Sequence, residues 1–217
     1  MTASAGVYSR HRAHQVPIKP QMEWQQLLNF WFGELSNGIA AADKQQRWFT
    51  VDPAFDTLCS QRFGPLLALA AAGDLNDWTS TPAGRLAFII LCDQIPRNVY
   101  RGRSDAFAWD EYAIAAAQEG VALQVDQQLA WDERSFFYLP FEHSEDLIHQ
   151  QISVGLFSEL RDQAPGPLKE RMGNSLRYAQ RHRDVIRRFG RFPHRNAALK
   201  RPSTDHEKTY LAEGGGF

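Results

Sequence analysis

The chain has 217 residues, of which 43% are hydrophobic and 12% aromatic, so one ordinary domain with a buried core is expected. Its formal net charge of −1 excludes a global electrostatic field that would recruit nucleic acid or anionic lipid. The two cysteines form no CxxC pair, which excludes a disulfide framework or a zinc ribbon and favours the reducing cytoplasm.

The sequence carries no recognisable membrane-spanning or secretory segment. No apolar run reaches the roughly 18 residues that a bilayer-spanning helix needs. Residues 1–20 are basic and lack the apolar stretch of a secretory signal, so we interpret 1–20 as a flexible tail, with a transit peptide as the alternative. Residues 21–217 are predicted to form a single all-α domain located in the cytoplasm.

The first part of the predicted domain has two clear helix signals. Apolar residues at helical spacing predict a helix from Glu23 that ends near 36–38, where Ser-Asn-Gly is typical of a turn. Asp52 followed by Pro53 is typical of an N-cap with proline in the first helical position. This second helix is expected to bend or end at Pro65, because proline removes a backbone hydrogen bond.

The next helix signal repeats the N-cap and proline pattern at Thr81. The helix that follows is apolar on every side, which predicts that it is buried. Pro96 is expected to stop it, because a proline disfavours helical geometry at the preceding residue, Ile95. Ser104 is then predicted to cap another helix.

The second half of the chain has stronger punctuation. Ser144 is predicted to cap a helix that runs to Pro-Gly-Pro at 165–167, and the helix after it ends at Gly190. Thr-Asp-His-Glu at 204–207 is typical of a capping box. The sequence therefore predicts an all-α fold in which antiparallel helix pairs stack as a tetratricopeptide-like α-α superhelix, although it has no clean repeat of roughly 34 residues.

Charge is distributed unevenly along the chain. From 102 to 160 there are 11 acids and 2 bases, whereas 161 to 201 contains 12 bases and 3 acids. These net charges of −9 and +9 predict that the two segments dock on each other. The near-zero total charge therefore conceals a locally basic surface.

The first candidate for a polar site is Asp93, at the end of the predicted buried helix. A carboxylate in apolar surroundings is costly unless it is paired. Arg97, four residues later, is expected to be its partner. The pair is either an internal brace or one wall of a pocket in which Asp93 is a functional carboxylate.

The second candidate surrounds His143. His143, Asp146, Gln150 and Ser153 are spaced by three, four and three residues, which predicts one polar stripe on a helix. The other face is predicted to carry Leu147, Ile148, Ile152, Leu156 and Leu160. Glu145 and Asp146 also suit the first turn of a helix, where negative charge favours the helix dipole, so a structural role is the alternative.

The third candidate is Arg-Arg-Phe-Gly-Arg-Phe-Pro-His-Arg-Asn, residues 187–196. Its first part is predicted to end a helix on which Asp184 pairs with Arg187 or Arg188. Its second part lies beyond Gly190 and has no acid close in sequence. This second part therefore needs a negative partner from elsewhere.

A similar turn occurs earlier in the chain. Gln-Ile-Pro-Arg-Asn at 94–98 and Phe-Pro-His-Arg-Asn at 192–196 both place arginine and asparagine after proline and before a predicted helix cap. Helix N-termini carry partial positive charge, so the bases before them need an anion. Either carboxylates of the protein, Glu142 among them, or a bound phosphate or carboxylate ligand supplies it.

Metal and serine-hydrolase chemistry are not expected. The histidines His143, His149, His182 and His194 show no HExxH-type spacing, and the first two are too far apart to share a helix face. The sequence also lacks the glycine-flanked nucleophile of a serine hydrolase. No metal and no cofactor are predicted.

Five long blocks of the sequence carry a family resemblance: FWFGEL, DQIPRNVYRGRSDAFAWDEYA, RSFFYLPFEHSEDLIHQ, HRDVIRRFGRFPHRNAALKRPST and YLAEGGGF. They resemble the bacterial domain-of-unknown-function 924 family from about Gln21 to the C-terminus. The resemblance implies a tetratricopeptide-like helical fold and no settled reaction. The chain departs from the family at Lys200, where the family usually has a glycine, which makes a left-handed turn unfavourable there.

The resemblance also implies which positions belong to the family motifs. Ser144 is one of these motif positions but is not a candidate for ligand binding. We interpret the others as candidate ligand-binding residues: Asp93, Arg97, Asn98, His143, Glu145, Asp146, His182, Arg191, His194, Arg195 and Asn196. His143 and His194 are the candidate catalytic residues, because a histidine is the side chain best suited to move protons near pH 7.

Three functions fit the sequence. The first is a His/Arg/Asp pocket for a small anionic molecule bearing phosphate or carboxylate, with or without catalysis. The second is a helical scaffold that binds a peptide or protein on a concave face. The third is RNA binding through the 161–201 segment, with Tyr178, Phe189 and Phe192 as stacking groups, although nucleic acid is the least favoured partner. No membrane partner is expected, and the sequence predicts no oligomeric state.

Overall fold

A computed structural model describes residues 21–216, and helices dominate this part of the chain. The first half contains α1 (Gln21–Phe32), α2 (Ala42–Phe49), α3 (Pro53–Ala72), α4 (Pro82–Asp93) and α5 (Ile95–Val99). The second half contains α6 (Asp110–Ala122), α7 (Trp131–His143), α8 (Leu147–Gln163), α9 (Pro167–Phe189) and α10 (Asp205–Ala212). Short 3₁₀ segments lie at Asn76–Ser80, Ser104–Phe107, Val125–Gln128 and Pro193–Arg195.

These elements confirm the predicted all-α fold. The finer prediction of a tetratricopeptide-like superhelix stays a prediction, and so does the division into a tail and a single domain. The tail predicted at 1–20 lies outside the described residues.

A small antiparallel hairpin, β1 (Leu35–Ser36) and β2 (Ile39–Ala40), follows α1. Its turn residues, Asn37 and Gly38, have φ values of 52° and 81°, as the tight Asn-Gly turn of a hairpin requires. The sequence predicts the turn but not the strands, because strands of two residues are too short to show an alternating pattern.

α4 lies at the centre of the hydrophobic core. Every residue from Gly84 to Asp93 is buried, which confirms the predicted buried helix, and α1, α3, α6 and α7 pack around it. Burying a large apolar side chain such as Phe88 contributes roughly 1.5–3 kcal/mol. Gly84 allows the close approach of a neighbouring turn, since a Cβ there would lie 2.3 Å from the carbonyl oxygen of Trp78.

Several helix ends form as the sequence predicts. Asp52 accepts hydrogen bonds from two backbone N–H groups of the first turn of α3, and Thr81 accepts one from α4. Thr204 and Glu207 form the predicted capping box of α10. Gly190 ends α9 in the left-handed conformation, with φ of 68°.

The expected effects of two prolines on helix ends need correction. α3 continues through Pro65, so the proline does not end the helix, while a bend at this residue stays a prediction. Pro65 is exposed, so water can hydrate the carbonyl that loses its backbone partner. α4 does end at Asp93, but Ile95 is helical as the first residue of α5. Pro96 is accommodated because the N–H groups of a first helical turn have no helical partner.

Two predicted serine caps also need correction. α6 begins at Asp110 rather than after Ser104, because a 3₁₀ segment intervenes. Asp146 caps α8 in place of Ser144: its carboxylate accepts a hydrogen bond of 2.6 Å from the backbone N–H of Ile148. Ser144 lies at the C-terminal end of α7.

Two residues of the predicted polar stripe, Gln150 and Ser153, point from α8 towards the protein interior, whereas Asp146 is exposed. Gln150 and Ser153 are 0% exposed, whereas Ile148 is 66% exposed. The Nε2 of Gln150 donates to two carbonyl oxygens at the end of α7, at 2.6 and 2.7 Å. Terminal helix carbonyls have no partner within their own helix, so this cap keeps the glutamine inside and leaves the apolar face of α8 partly exposed.

Lys200 adopts the left-handed conformation that the sequence made unfavourable, with φ of 54°. Two backbone hydrogen bonds hold this turn, from Lys200 N to Ala197 O at 3.2 Å and from Arg201 N to Asn196 O at 2.8 Å. The expectation for this position was therefore wrong. Such a conformation costs about 1–3 kcal/mol, and the neighbouring Arg201 is held by hydrogen bonds to Asn196 and Glu145.

Candidate functional site

The polar blocks selected from the sequence converge where the C-terminal ends of α4 and α7 meet α9 and the 193–195 segment. The group that we call the histidine–arginine cluster consists of Asp93, Arg97, His143, His182, His194 and Arg195, together with Asp110 and Glu142. Glu142 entered the sequence analysis only as one candidate counter-charge, and Asp110 was missed. An acid in the first turn of a helix is common, so Asp110 gave no specific signal.

Asp93 and His143 form a hydrogen-bonded pair at the centre of the cluster. The Nδ1 of His143 lies 2.8 and 3.0 Å from the two carboxylate oxygens of Asp93, which is 1% exposed. Burial raises the pKa of Asp93, but the charge of Arg97 and the hydrogen bond from His143 outweigh it and hold this pKa well below its usual range. The ionised Asp93 therefore keeps the proton of His143 on Nδ1.

The imidazole of His143 is neutral at pH 7. Burial lowers its pKa below the ordinary value, although the charge of Asp93 opposes this effect. Among the described residues, the Nε2 atom of His143 has no hydrogen-bond partner. With the proton fixed on Nδ1, Nε2 carries the lone pair and is the nitrogen that can accept a proton.

Arg97 is fully paired within the cluster. It binds Asp110 through two hydrogen bonds, of 2.8 and 3.2 Å, and lies 3.2 Å from the carboxylate of Asp93. It also donates to the backbone carbonyl of Asp93 at 2.6 Å. Burial lowers the pKa of Arg97, but the two carboxylates outweigh burial and raise this pKa overall. The predicted pairing of Asp93 with Arg97 is confirmed.

Arg195 is buried but incompletely paired. It is 7% exposed, its nearest carboxylate contact is Asp110 at 3.6 Å, and its Nε has no hydrogen-bond partner among the described residues. Its guanidinium lies over the rings of Phe107 and Phe192, at 4.7 and 4.6 Å from their centroids. Burial, with the charge of Arg97, lowers the pKa of Arg195 to about 10.

His182 and His194 lie beside Phe192, whose ring the guanidinium of Arg195 also contacts. Their rings pack on Phe192, with centroid distances of 5.6 and 5.5 Å. Burial lowers the pKa of His182 to about 3, and burial with the charge of Arg195 lowers that of His194 to about 4. Both imidazoles are therefore neutral at pH 7, and they add no positive charge to the cluster.

Four residues near the cluster form a separate structural unit, which we call the arginine brace: Arg191, Glu207, Arg201 and Glu145. Arg191 binds both carboxylate oxygens of Glu207, at 2.7 and 2.8 Å. Arg201 binds Glu145 at 2.6 and 2.9 Å, and Glu145 also accepts a hydrogen bond from the backbone of Phe192. Burial raises the pKa of Glu145, but these hydrogen bonds lower it overall.

The remaining predicted site residues make local structural contacts. Asn98 donates to the backbone carbonyl of Gln94 at 3.0 Å. Asp146 is the exposed cap of α8, and Asn196 donates to the hydroxyl of Ser203 at 3.0 Å. These contacts link the turns to their neighbours and place none of the three side chains in the histidine–arginine cluster.

Two details of the basic segment differ from the expectations. Asp184 forms the predicted ion pair with Arg187, at 4.0 Å, but its closer partner is Arg183, at 2.8 Å. Phe192 is 0% exposed, so its ring is not accessible for stacking on a nucleic-acid base, unlike the exposed Tyr178. The RNA hypothesis therefore loses one of its three stacking groups.

A surface groove of about 620 Å³ lies next to the arginine brace. It is lined by Arg188, Phe189, Arg191, Thr204, His206 and Glu207. Arg191 and Glu207 pair with each other, whereas Arg188 forms no ion pair among the described residues and lies over the rings of Phe189 and Tyr210. None of the helices in the described part of the chain combines the length and apolar character that a bilayer crossing requires.

The fold and the cluster define an all-α protein with a buried set of neutral histidines, one fully paired arginine and one incompletely paired arginine. The chain belongs to the family of bacterial proteins of unknown function DUF924, whose sequence pattern matches residues 27–215. A solved structure of a protein of unknown function from Agrobacterium tumefaciens is similar, with 36% identity, a TM-score of 0.75, and coverage of 89% of this chain and 99% of that one. No curated protein matches the chain.

Proposed function

We propose that the histidine–arginine cluster binds a small molecule through a phosphate or carboxylate group held by Arg195. The incomplete pairing of Arg195 carries this proposal, since its nearest carboxylate oxygen is 3.6 Å away and its Nε lacks a partner among the described residues. A buried guanidinium is costly without hydrogen-bonded anions. The planar oxygens of a carboxylate or phosphate match the two-pronged edge of an arginine.

The geometry also supports an acid–base role for His143. A neutral imidazole that a carboxylate orients through Nδ1, with Nε2 available as proton acceptor, is the arrangement that many enzymes use for a general base. The orientation of its ring by Asp93 distinguishes His143 from His194, the other candidate from the sequence, whose pKa burial and the charge of Arg195 lower to about 4. We therefore assign the proton-accepting role in the proposed site to His143.

The burial of the cluster restricts the proposed ligand. The side chain of His143 is 17% exposed and that of Arg195 only 8%. Such limited access favours a ligand that inserts one anionic group beside Arg195 while its remainder stays outside. The same limited access disfavours a bulky ligand that is buried on all sides.

A thermal-shift screen against phosphorylated and carboxylated metabolites tests the proposal. A ligand that binds only the folded protein raises its melting temperature. We expect such a shift for the wild type and for the control Arg187→Ala, which removes an arginine whose side chain is 64% exposed, and no shift for Arg195→Met. Equal shifts in Arg195→Met and the wild type would refute anion binding at this arginine.

The role of His143 needs a separate measurement. For a ligand found in the screen, we expect the wild type to alter it chemically, as followed by NMR of the ligand, and His143→Gln to bind it without altering it. Conversion by His143→Gln at the wild-type rate would remove His143 from the proposal while leaving anion binding intact.

One observation favours the scaffold as a second candidate function. The outward face of α8 exposes the aliphatic residues Leu147, Ile148 and Ile152. Exposed aliphatic groups on one helix are a surface on which a peptide or protein partner can bury apolar area. If the protein is a scaffold, Ile148→Glu should abolish partner binding that Arg195→Met leaves unchanged.

A further inference from the structure

Asp110 is the acidic residue that connects the two arginines of the histidine–arginine cluster. It lies in the first turn of α6 and accepts two hydrogen bonds from Arg97, of 2.8 and 3.2 Å. Its Oδ2 also lies 3.6 Å from a guanidinium nitrogen of Arg195, the residue that holds the anion in the proposed function. A ligand bound to Arg195 therefore has Asp110 as its nearest acidic neighbour.

Asp110 is also the most accessible of the charged side chains in the cluster. Its side chain is 26% exposed, compared with 8% for Arg195, and those of Arg97 and Asp93 are less exposed than that of Asp110 as well. A ligand that reaches the buried guanidinium of Arg195 from solvent can therefore keep a second group in contact with Asp110.

The carboxylate of Asp110 can accept further hydrogen bonds. An ionised carboxylate has about four acceptor positions. Within the part of the chain that the structure describes, Arg97 fills two of these positions, and the 3.6 Å contact with Arg195 is too long for a hydrogen bond. A donor from a ligand can occupy a remaining position without displacing Arg97.

The charges of the cluster indicate what kind of donor fits. Its charged members are two carboxylates, Asp93 and Asp110, and two arginines, Arg97 and Arg195. The three histidines are neutral at pH 7, and burial with the charge of Asp93 raises the pKa of Glu142 to about 8, which leaves it mainly protonated. A simple anion would add an uncompensated negative charge to this buried group, which is costly.

We infer that the ligand of the proposed site is a small zwitterion, whose anionic group binds Arg195 and whose ammonium group donates hydrogen bonds to Asp110. This inference rests on the proposed function. A zwitterion adds no net charge to the cluster, and its two ends match the acid and the guanidinium that lie side by side. The class of ligand that fits is an amino acid with a short chain between its ammonium and carboxylate groups.

Three pairs of probes test the inference: glycine with acetate, β-alanine with propionate, and γ-aminobutyrate with butyrate. The members of a pair share the carboxylate and the chain length, and only the first member carries an ammonium group. Titration calorimetry at pH 7 measures the affinities. We expect the wild type to bind the amino acid of at least one pair about tenfold or more tightly than its partner, because hydrogen bonds to charged groups are strong.

Asp110→Asn tests which residue recognises the ammonium group. Its amide oxygen can still accept from Arg97, but its negative charge is gone, so we expect the preference for the amino acid to disappear. Asp105→Asn is the matched control, because Asp105 precedes α6, is exposed and pairs with Arg103, and it should keep the preference. A preference that survives in Asp110→Asn would overturn the role of Asp110.

The comparison of probes in the wild type decides the ligand class without any variant. Equal affinities within every pair, tighter binding of the simple carboxylates, or binding of none of the six probes would overturn the inference. Carboxylate binding without an ammonium preference that is lost in Arg195→Met would leave the proposed function intact. Binding that is unchanged in Arg195→Met would instead refute the proposed function.

Discussion

The two proline–arginine–asparagine turns have similar local sequences but different electrostatic outcomes. In the turn at 94–98, Arg97 takes both carboxylate oxygens of Asp110 and approaches Asp93 as well. In the turn at 192–196, Arg195 approaches the same Asp110 only to 3.6 Å. Both arginines therefore approach the carboxylate of Asp110, but only Arg97, in the earlier turn, forms hydrogen bonds to it.

The difference also indicates where a ligand would matter. Arg97 is fully paired and has a structural role. Arg195, in contrast, is buried against two phenylalanine rings without a complete set of hydrogen-bond acceptors. The four predictions below test this distinction, from the largest expected effect to the smallest.

Replacing the paired arginine should cost the most stability. Arg97→Met leaves Asp93 and Asp110 without their main counter-charge, and breaking a buried ion pair costs about 3–5 kcal/mol. Urea unfolding at pH 7 measures this loss, with the more exposed Arg161→Ala expected to stay close to the wild type. An unfolding free energy for Arg97→Met equal to that of the wild type would contradict a stabilising role of Arg97.

The pair between Glu145 and Arg201 should show an intermediate effect. Glu145→Gln weakens the two hydrogen bonds to Arg201 and the one to the backbone of Phe192, so we expect a loss of about 1–3 kcal/mol. Asp205→Asn is the matched control, because Asp205 has a side chain that is 96% exposed. If both variants unfold at the same urea concentration, the pair between Glu145 and Arg201 adds nothing to stability.

As pH falls, the histidine–arginine cluster should lose stability before the arginine brace does. The pKa of His182 falls from 6.5 unfolded to about 3 folded, so its contribution is complete above pH 6.5 and is lost as pH falls towards 3. The expected slope is at most about 1.4 kcal/mol per pH unit for this histidine. The brace keeps its pairs over this interval, because the hydrogen bond from Arg191 lowers the pKa of Glu207 to about 2.

The comparison of unfolding free energy at pH 7 and pH 5 tests this order. His182→Leu removes the titrating group, so its stability should fall less between these two pH values than that of the wild type. Parallel losses in both proteins would assign the acid sensitivity to another residue.

The smallest effect is expected for Arg195, the incompletely paired arginine. Arg195→Met keeps much of the side-chain volume against Phe107 and Phe192 and removes a desolvated charge, so stability should stay within about 1 kcal/mol of the wild type or rise. If the same unfolding experiment showed a loss of stability as large as that of Arg97→Met, Arg195 would also have a structural role.

The sequence predicted those parts of the site that depend on short spacing. Asp93 and Arg97 are four residues apart on adjoining helices, and the absence of a nearby acid marked Arg195 as a residue in need of a partner. Asp110 and Phe107 were not predicted, because their contacts with Arg195 join positions more than eighty residues apart. Nothing in a local pattern indicates which of two arginines will reach a shared carboxylate.

The orientation of α8 was left open by the sequence for a related reason. Its pattern of polar and apolar residues is real, but the amide of Gln150 is needed inside to cap the end of α7. Periodicity records which residues share a face, and only the packed neighbours decide which face is buried.

Lys200 shows that the same turn can form with a lysine at a position where the family usually has a glycine. The backbone there has φ of 54°, so the lysine already adopts the geometry for which a glycine is suited. Lys200→Gly would relieve steric crowding in the folded chain but would also give the denatured chain more conformations to lose. Exchange of these residues therefore acts mainly on the entropy of folding, and a glycine at this position is no marker of a different turn.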